Sequence, residues 1–445
     1  MSDLFIIGAS GTKAYRSAMA AVGENIANAS TAGYARRSVT TIESGSSTAT
    51  MATYISRANF GGTQVAGVNR ASDPYLDATV RNTGMALGSA TARLRWLKDS
   101  ETALNDTGTG VGQLMTGMFQ NMEKLAASPT DTSLRVTTLD SISRVAQSFN
   151  QTSADLKTVS SGIATEAQSS VSTINRSLND LADINNSLLR AQPGTSSYAQ
   201  LLDSRDSALQ TLSENLNVTV SFGAHDSAQI SFGGQTLVSG NSATNLSMAA
   251  NDDGTLSLSL ADGTALAAPA NGTLGGLFSA AGTVADQRSS LDTLAAQFVT
   301  DVNAWHAQGQ TDAGAQGGAL LAGTTAATMS ALVTDPAQLA LKSSDGTIAN
   351  GNLLNVNSVL RGNGSVEQNW TALVASQATR VASTQAEYDT ASSRNDQAVA
   401  AREAVSGVDL DMEAADLLRI QQAYSASAKI IQVAKETIDA IMNII

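Results

Sequence analysis

Cysteine is absent from all 445 residues. No disulfide can staple this chain, and no thiolate can serve it as nucleophile or metal ligand. The absence suits a polypeptide that must travel unfolded, because no crosslink can form early and block passage. Histidine occurs twice, as His225 and His306, too far apart in sequence for the HExxH zinc arrangement. Neither G-x-S-x-G nor the P-loop occurs, and Gly108-x-Gly110-x-Gly112 lacks both the dinucleotide spacing and a preceding strand. Aromatic residues are 4% and charged residues 15% of the chain, so any core is a lean one. A net charge of −13 disfavours nucleic acid, whose binding draws on clustered Lys and Arg. No stretch approaches the about 20 apolar residues of a membrane span. The apolar run from Leu4 to Ile7 stops at Gly8, short of the about 7 to 15 residues of a signal-peptide core. A protein of this kind that works outside the cell leaves by another export route.

Proline is scarce too. Pro74, Pro129, Pro193, Pro269 and Pro336 each read as a boundary rather than a helix interior. Between them the period of the apolar residues sets the expected elements. Residues 35–73, rich in Thr, Ser and Gly with alternations such as Thr53-Tyr54-Ile55, read as an extended linker region. Pro74 reads as the first helical residue after an Asp73 cap. Long helices are expected over 111–128 and 130–191, the second carrying Leu139, Ile142, Phe149, Leu156, Ile163, Val171, Ile174, Leu178, Leu181, Ile184 and Leu188. A shorter one covers 197–215. The period then drops to two at Val218, Val220 and Phe222, at Ile230 and Phe232, and at Leu256, Leu258 and Leu260, which predicts a small β-rich domain over 216–268. Helix resumes over 275–308 and again over 352–403, with an irregular segment at 309–351. The chain therefore reads as mainly α with a β-rich insertion (α+β), elongated, with nested discontinuous domains. Its parts are an arm at 1–34, the linker region at 35–73, a helical domain in two pieces at 74–215 and 269–407 around the β insertion, and a second arm at 408–445.

Both arms carry an apolar seam at coiled-coil spacing. Leu4, Ile7, Gly11, Ala14, Ala18, Ala21, Asn25 and Asn28 step by three and four, and so do Leu417, Gln421, Tyr424, Ala428, Ile431, Lys435, Ile438, Met442 and Ile445. A stripe repeating every 3.5 residues stays turned toward a partner helix, so the arms should pack on each other, on copies of themselves, or on both. Residues 1–40 hold four basic against two acidic side chains and residues 408–445 hold three basic against six acidic, net +2 and −3. Opposite signs favour pairing of the ends, although an exposed pair contributes only about 0 to 1 kcal/mol. The N-terminal seam has two large aliphatics, worth roughly 1.5 to 3 kcal/mol each when buried. Ordering the backbone costs roughly 1 to 2 kcal/mol per residue. Alone, this arm should be largely unfolded and should gain its shape on assembly.

The motifs at the two ends resemble a known class. Ile7-Gly8-x-Ser10-Gly11, Gly23-x-Asn25-Ile26-Ala27-Asn28 and Thr31-Ala32-Gly33-Tyr34-x-Arg36 are similar to the N-terminal signature of axial proteins of the bacterial flagellum. Ser406-Gly407-Val408-Asp409-Leu410-Asp411, Glu413-Ala414-Ala415 and Gln421-Gln422-Ala423-Tyr424-x-Ala426-Ser427-Ala428-Lys429 resemble its C-terminal counterpart. Leu201-Leu202-Asp203-x-Arg205-Asp206, Gly234-x-x-Leu237-Val238-x-Gly240 and Val302-Asn303-x-x-His306-x-x-Gly309 resemble the interior of the hook-associated protein 1 (FlgK) family, the hook–filament junction proteins. Ala32 stands where that family usually has proline, and Leu320-Leu321 where an aromatic is common. The resemblance implies a non-enzymatic structural subunit without cofactor or metal, exported by the flagellar type III apparatus to the outside of the cell. Its implied partners are copies of itself, the hook protein, the second junction protein, and an export chaperone on the C-terminal arm. The rival readings are another flagellar axial protein, such as the hook protein, and a secreted adhesin or hydrolase.

Several residues admit two readings. Asn25 and Asn28 either fix the register of the seam from buried positions or belong to the fraying helix end and its turn. Gly33 is expected to end the helix in a left-handed conformation, with Tyr34 shaping the turn. Asp409, Asp411 and Glu413 put negative charge where a helix starts, which favours its dipole. Asp203, Arg205 and Asp206 read as structural ion pairs between helices rather than catalytic groups, and His306 as the packing of a turn.

Overall fold

The computed structural model describes residues 2–31, 33–44 and 61–442. It begins with helix α1 (Ser2–Ala27), followed by strands β1 (Arg37–Glu43) and β2 (Thr63–Arg70). Helices α2 (Pro74–Ala103), α3 (Val111–Ala127), α4 (Thr132–Leu188) and α5 (Ser196–Asn215) come next. Seven short strands follow: β3 (Thr219–Phe222), β4 (Ala228–Phe232), β5 (Gln235–Ser239), β6 (Ser242–Ala243), β7 (Leu246–Ala250), β8 (Leu256–Leu260) and β9 (Ala265–Leu266). Helix α6 (Gly272–Ala307) leads into β10 (Leu321–Ala322) and β11 (Ser330–Ala331). The chain ends with α7 (Gly351–Leu354), α8 (Val356–Leu360), α9 (Val366–Ser406) and α10 (Leu410–Met442). The architecture is mainly α with small antiparallel sheets.

Local chemistry starts these helices where the sequence places its caps. The Asp73 carboxylate accepts from the backbone N–H of Tyr75 at 2.8 Å, with Pro74 at the first helical position. Asp131 caps α4 through Ser133 N–H, and Asp409 caps α10 through the N–H groups of Asp411 and Met412. The expected helix over 352–403 breaks into three pieces. Asn355 ends α7, and Gly364, at φ +76°, turns the chain before α9. The segment read as a linker at 35–73 forms an antiparallel pair with Arg37 opposite Arg70 and a bulge between Thr40 and Thr41. The alternation at Thr53-Tyr54-Ile55 lies outside the described residues. The strands of 216–268 divide between two sheets, ordered β3-β4-β5-β6 and β7-β8-β9.

Two compact units divide the chain. The first comprises Met1–Met85, Thr173–Asn245 and Ser392–Ile445, and the second Ala86–Ser172 and Leu246–Ala391. In the second, the buried stripe of α3 (Met115, Met118, Met122, Leu125) and that of α4 (Ile142, Phe149, Leu156, Ile163) supply the core with Phe298, Val302 and Trp305 of α6. Phe149 sits at its aromatic centre, 5.9 Å from the Phe298 ring and 6.4 Å, edge-on, from Trp370. Irregular chain in 309–351 is held on this core by His306, which accepts from Ala340 N–H through Nε2 and faces the Gly318 carbonyl through Nδ1.

Helices meet strands through one recurring device. An asparagine on a helix uses both ends of its amide on the backbone of a passing strand, as a neighbouring strand would. Asn185 of α4 donates to Ala228 C=O at 2.8 Å and accepts from Ala228 N–H at 2.7 Å. Asn303 of α6 donates to Leu321 C=O and accepts from the N–H groups of Leu320 and Leu321. Asn25 of α1 treats Arg37 in the same way. Buried backbone groups are thereby satisfied where no strand is available.

Candidate functional site

Within the first unit, α1 and α10 pack antiparallel: Gly8 and Gly11 lie against Ile431 and Ser427, and Asn25 against Glu413. The approach is close because the facing residues are small. A Cβ on Gly8 would stand 2.6 Å from Ile431 Cγ1, and one on Gly11 would stand 2.7 Å from Ser427 Oγ. On α1 the buried residues include Gly11, Ala14, Ala21, Val22 and Asn25, with Ile7, Ala18 and Asn28 half-buried and Leu4 exposed. On α10 the buried positions are Glu413, Ile420, Ser427 and Ala434, each seven residues after the last.

The C-terminal contact stripe is therefore rotated from the seam read in the sequence. Leu417, Tyr424 and Ile431 flank it, half-buried, while Gln421, Ala428, Lys435, Ile438 and Met442 are exposed and Ile445 lies outside the described residues. The cause is steric. A reading by hydrophobicity puts the largest aliphatics in the seam, but Gly11 lies directly against Ser427, which draws that small residue into the stripe, while the larger Ile431 reaches Gly8 from the flank. Large apolar groups are displaced to the flanks and to the far end of the pair. Leu4, Phe5, Ile6, Ile438, Ile441 and Met442 gather at that end with 40% or more of each side chain exposed. Exposed apolar groups gathered in this way are the usual mark of an interaction surface.

The opposite end of the pair is polar. Asn25 is 1% exposed, and its amide has every position used. Its Nδ2 donates to Arg37 C=O at 2.8 Å and to Glu413 Oε2 at 3.0 Å. Its Oδ1 accepts from Arg37 N–H and from the Tyr34 hydroxyl, both at 2.8 Å. Of the two seam asparagines, Asn25 is the one buried on the seam. Asn28 belongs to the helix end, donating to Glu24 C=O and accepting from Thr31 in the turn beyond the helix. Gly33, at φ +78°, bends that turn. Burial above all, with the charges of Glu24, Asp203 and Glu413 and against that of Arg37, pushes the Tyr34 phenol up to about 12. It remains a donor at neutral pH.

Arg37 extends the network to the rest of the unit. Its guanidinium reaches Glu24 of α1 and Asp203 of α5, and Arg70, its partner across the β1–β2 pair, reaches Asp203 and Asp206. Burial alone would lower both guanidinium pKa values. The hydrogen bonds of Asp203 and Glu24 to Arg37, and the charges of Asp206 and Asp203 beside Arg70, outweigh it and hold both raised. Asp203 and Asp206 thus form ion pairs, but from a helix to a strand pair rather than between helices. Arg205 bonds Asp206 and the Asp226 carbonyl. Nothing in this group is left as a free acid or base. Among the described residues no cluster of three His, Asp or Glu could hold a metal, and no helix is long and apolar enough to cross a membrane.

Comparison with known proteins adds independent findings. A family model described as the flagellar hook-associated protein FlgK helical domain matches residues 97–321, and one described as the flagellar basal body rod FlgEFG protein C-terminal matches residues 403–444. Flagellar hook-associated protein 1 of Bacillus subtilis (strain 168) is 24% identical over 97% of this chain and 96% of its own. Its namesake in Salmonella typhimurium is 26% identical over 69% of this chain, which spans 57% of that relative. The structure of the flagellar hook junction protein FlgK from Burkholderia pseudomallei shares the fold with a TM-score of 0.50 and 24% identity, over 56% of this chain and 46% of that one.

Proposed function

Because the chain belongs to the FlgK family of flagellar hook-associated proteins, we propose that it is the structural subunit of the flagellum that joins hook to filament, and that its terminal helix pair is the part that builds the joint. The observation that carries this is the apolar end formed by Leu4, Phe5, Ile6, Ile438, Ile441 and Met442, exposed in the single chain. In a tube of subunits those side chains are covered by the same helices of adjoining copies, by the hook protein on one side and by the second junction protein on the other. Before export an unassembled apolar arm needs a holder in the cytosol, the part a flagellar export chaperone plays at α10. The subunit then leaves through the flagellar type III apparatus and works outside the cell. We read it as non-enzymatic, since Asp203, Arg205, Asp206 and His306 are each engaged in structural bonds.

The test separates the two faces of α10. Ile438→Asp with Met442→Asp alters exposed residues, so the purified monomer should keep its circular dichroism and melting temperature. Cells carrying it in place of the native chain should make hooks without filaments and shed flagellin into the medium. Filaments of normal number and length would refute the assignment. Ile431 is a poorer probe, because it also packs on Gly8 within the chain.

A further inference from the structure

The signatures at the two ends of the chain meet in a buried side-chain hydrogen bond between Asn25 and Glu413, 388 positions apart, and Arg36 N–H donates to Ser406 C=O nearby at 2.9 Å. Asn25 and Glu413 each belong to a longer path. Glu413, 2% exposed, holds Asn25, and Arg36 stands 3.6 Å from its other oxygen. Asn25 holds the backbone of Arg37 at the first residue of β1. Arg37 and Arg70 face each other across the strand pair, a juxtaposition of like charges that is unfavourable by itself. Asp203 removes the conflict by giving Oδ2 to Arg37, at 3.0 Å, and Oδ1 to Arg70. Asp206 takes Nη1 of Arg70 at 2.6 Å. Five elements, α10, α1, β1, β2 and α5, converge on this path.

Its chemistry differs from that of the stripe beside it. Small apolar residues such as Ala14, Ala21 and Ala434 allow two helices to touch, yet they tolerate sliding or rotation by one position with little change in buried area. A buried amide and a shared carboxylate do not. Their hydrogen bonds are complete in one arrangement and unmade in the others, so they select direction more than they add adhesion.

We propose that Asn25 with Glu413, and Asp203 with Arg37 and Arg70, are positioning residues that fix the direction in which the α1–α10 pair leaves α5, so that the two ends of the chain form a rigid handle rather than a hinged one. Asp203 ties the strand pair to α5, and Asn25 with Glu413 ties the helix pair to the strand pair. The inference concerns the single chain and does not depend on its place in the flagellum.

The absence of native cysteine makes the test clean, since cysteines placed at Ala20 on α1 and Ser197 on α5, both exposed, are the sole attachment points for spin labels. Pulsed electron resonance on the full-length monomer should give one narrow distance distribution. Glu413→Gln keeps an acceptor for the Asn25 amide and should leave it narrow. Glu413→Leu puts a large apolar group at a buried heptad position, which would tighten a joint that worked by hydrophobic packing. Here it should broaden or split the distribution, as should Asp203→Asn, with the far-UV helix signal retained. A distribution equally narrow in the native chain, Glu413→Leu and Asp203→Asn would overturn the proposal. So would equal broadening by Glu413→Gln and Glu413→Leu, which would show the acceptor to be irrelevant. Because the readout is taken on the monomer, loss of filaments for unrelated reasons cannot be mistaken for either result.

Discussion

His306 carries its proton on Nδ1. A backbone N–H, that of Ala340, points at Nε2, so Nε2 must accept, and Nδ1–H then donates to Gly318 C=O at 2.6 Å. Burial lowers the imidazole pKa below its ordinary 6.5, partly opposed by the Gly318 carbonyl. The unfolded chain therefore takes up the proton first. The stabilisation from neutral His306 is complete above about pH 6.5 and declines as pH falls toward the folded-state value. The melting temperature should drop between pH 7 and pH 5 in the native protein. His306→Ala, leaving two buried backbone groups unpaired, should cost about 2 to 4 kcal/mol and flatten that part of the pH profile, as thermal melts at each pH would reveal. Sequence reasoning places His306 correctly as the packing of a turn, because a lone histidine with no ligand partners has few other uses. It does not find that Asn185 and Asn303 bond to strands. Nothing periodic distinguishes Asn185 or Asn303 from exposed asparagines, since the strand each one pairs with lies far along the chain. Asn303→Leu, which keeps the same branched four-atom skeleton without its polar ends, should cost about 2 to 4 kcal/mol by orphaning the backbone of Leu320 and Leu321, measurable by denaturant unfolding.

At the level of elements, long heptad runs were legible and short irregular ones were not. The α4 stripe from Leu139 to Leu188 is buried as its spacing implies, apart from a half-buried Ile184. The capping aspartates mark where α2 and α10 start. The helix expected over 352–403 is continuous only from Val366, because glycine and asparagine at 355–364 interrupt its first turns. The contact stripe of α10 departs from its most hydrophobic face because Gly8 and Gly11 of α1 set the geometry of the contact. Gly11→Val should therefore separate the two helices although valine is the more hydrophobic residue. Limited proteolysis of the monomer should then cut within residues 2–27 several-fold faster than in the native chain while residues 111–188 stay resistant. Unchanged cleavage would mean that the close approach at Ser427 does not matter.

Considered as a whole, the molecule joins a well-buried helical core to a terminal pair held by thin contacts. The buried apolar residues of α1 and α10 are mostly alanines, with Val22 and Ile420 the larger ones, and a half-buried Ile431 packs on Gly8. A few such groups, at roughly 1.5 to 3 kcal/mol for each large one, stand against about 1 to 2 kcal/mol of backbone entropy for every residue ordered. The arm read as unfolded in isolation is a helix docked within its own chain, and the same arithmetic lets that docked state open far more readily than the core, in a small fraction of molecules at any moment, until neighbours cover the exposed end. Amide hydrogen exchange, followed by mass spectrometry on the purified monomer and on the same protein built into isolated hooks, compares the two states directly. The account predicts that α1 and α10 exchange orders of magnitude faster than α4 in the monomer and become as protected as α4 once assembled. Terminal helices already as protected as α4 in the monomer, and unchanged by assembly, would contradict it.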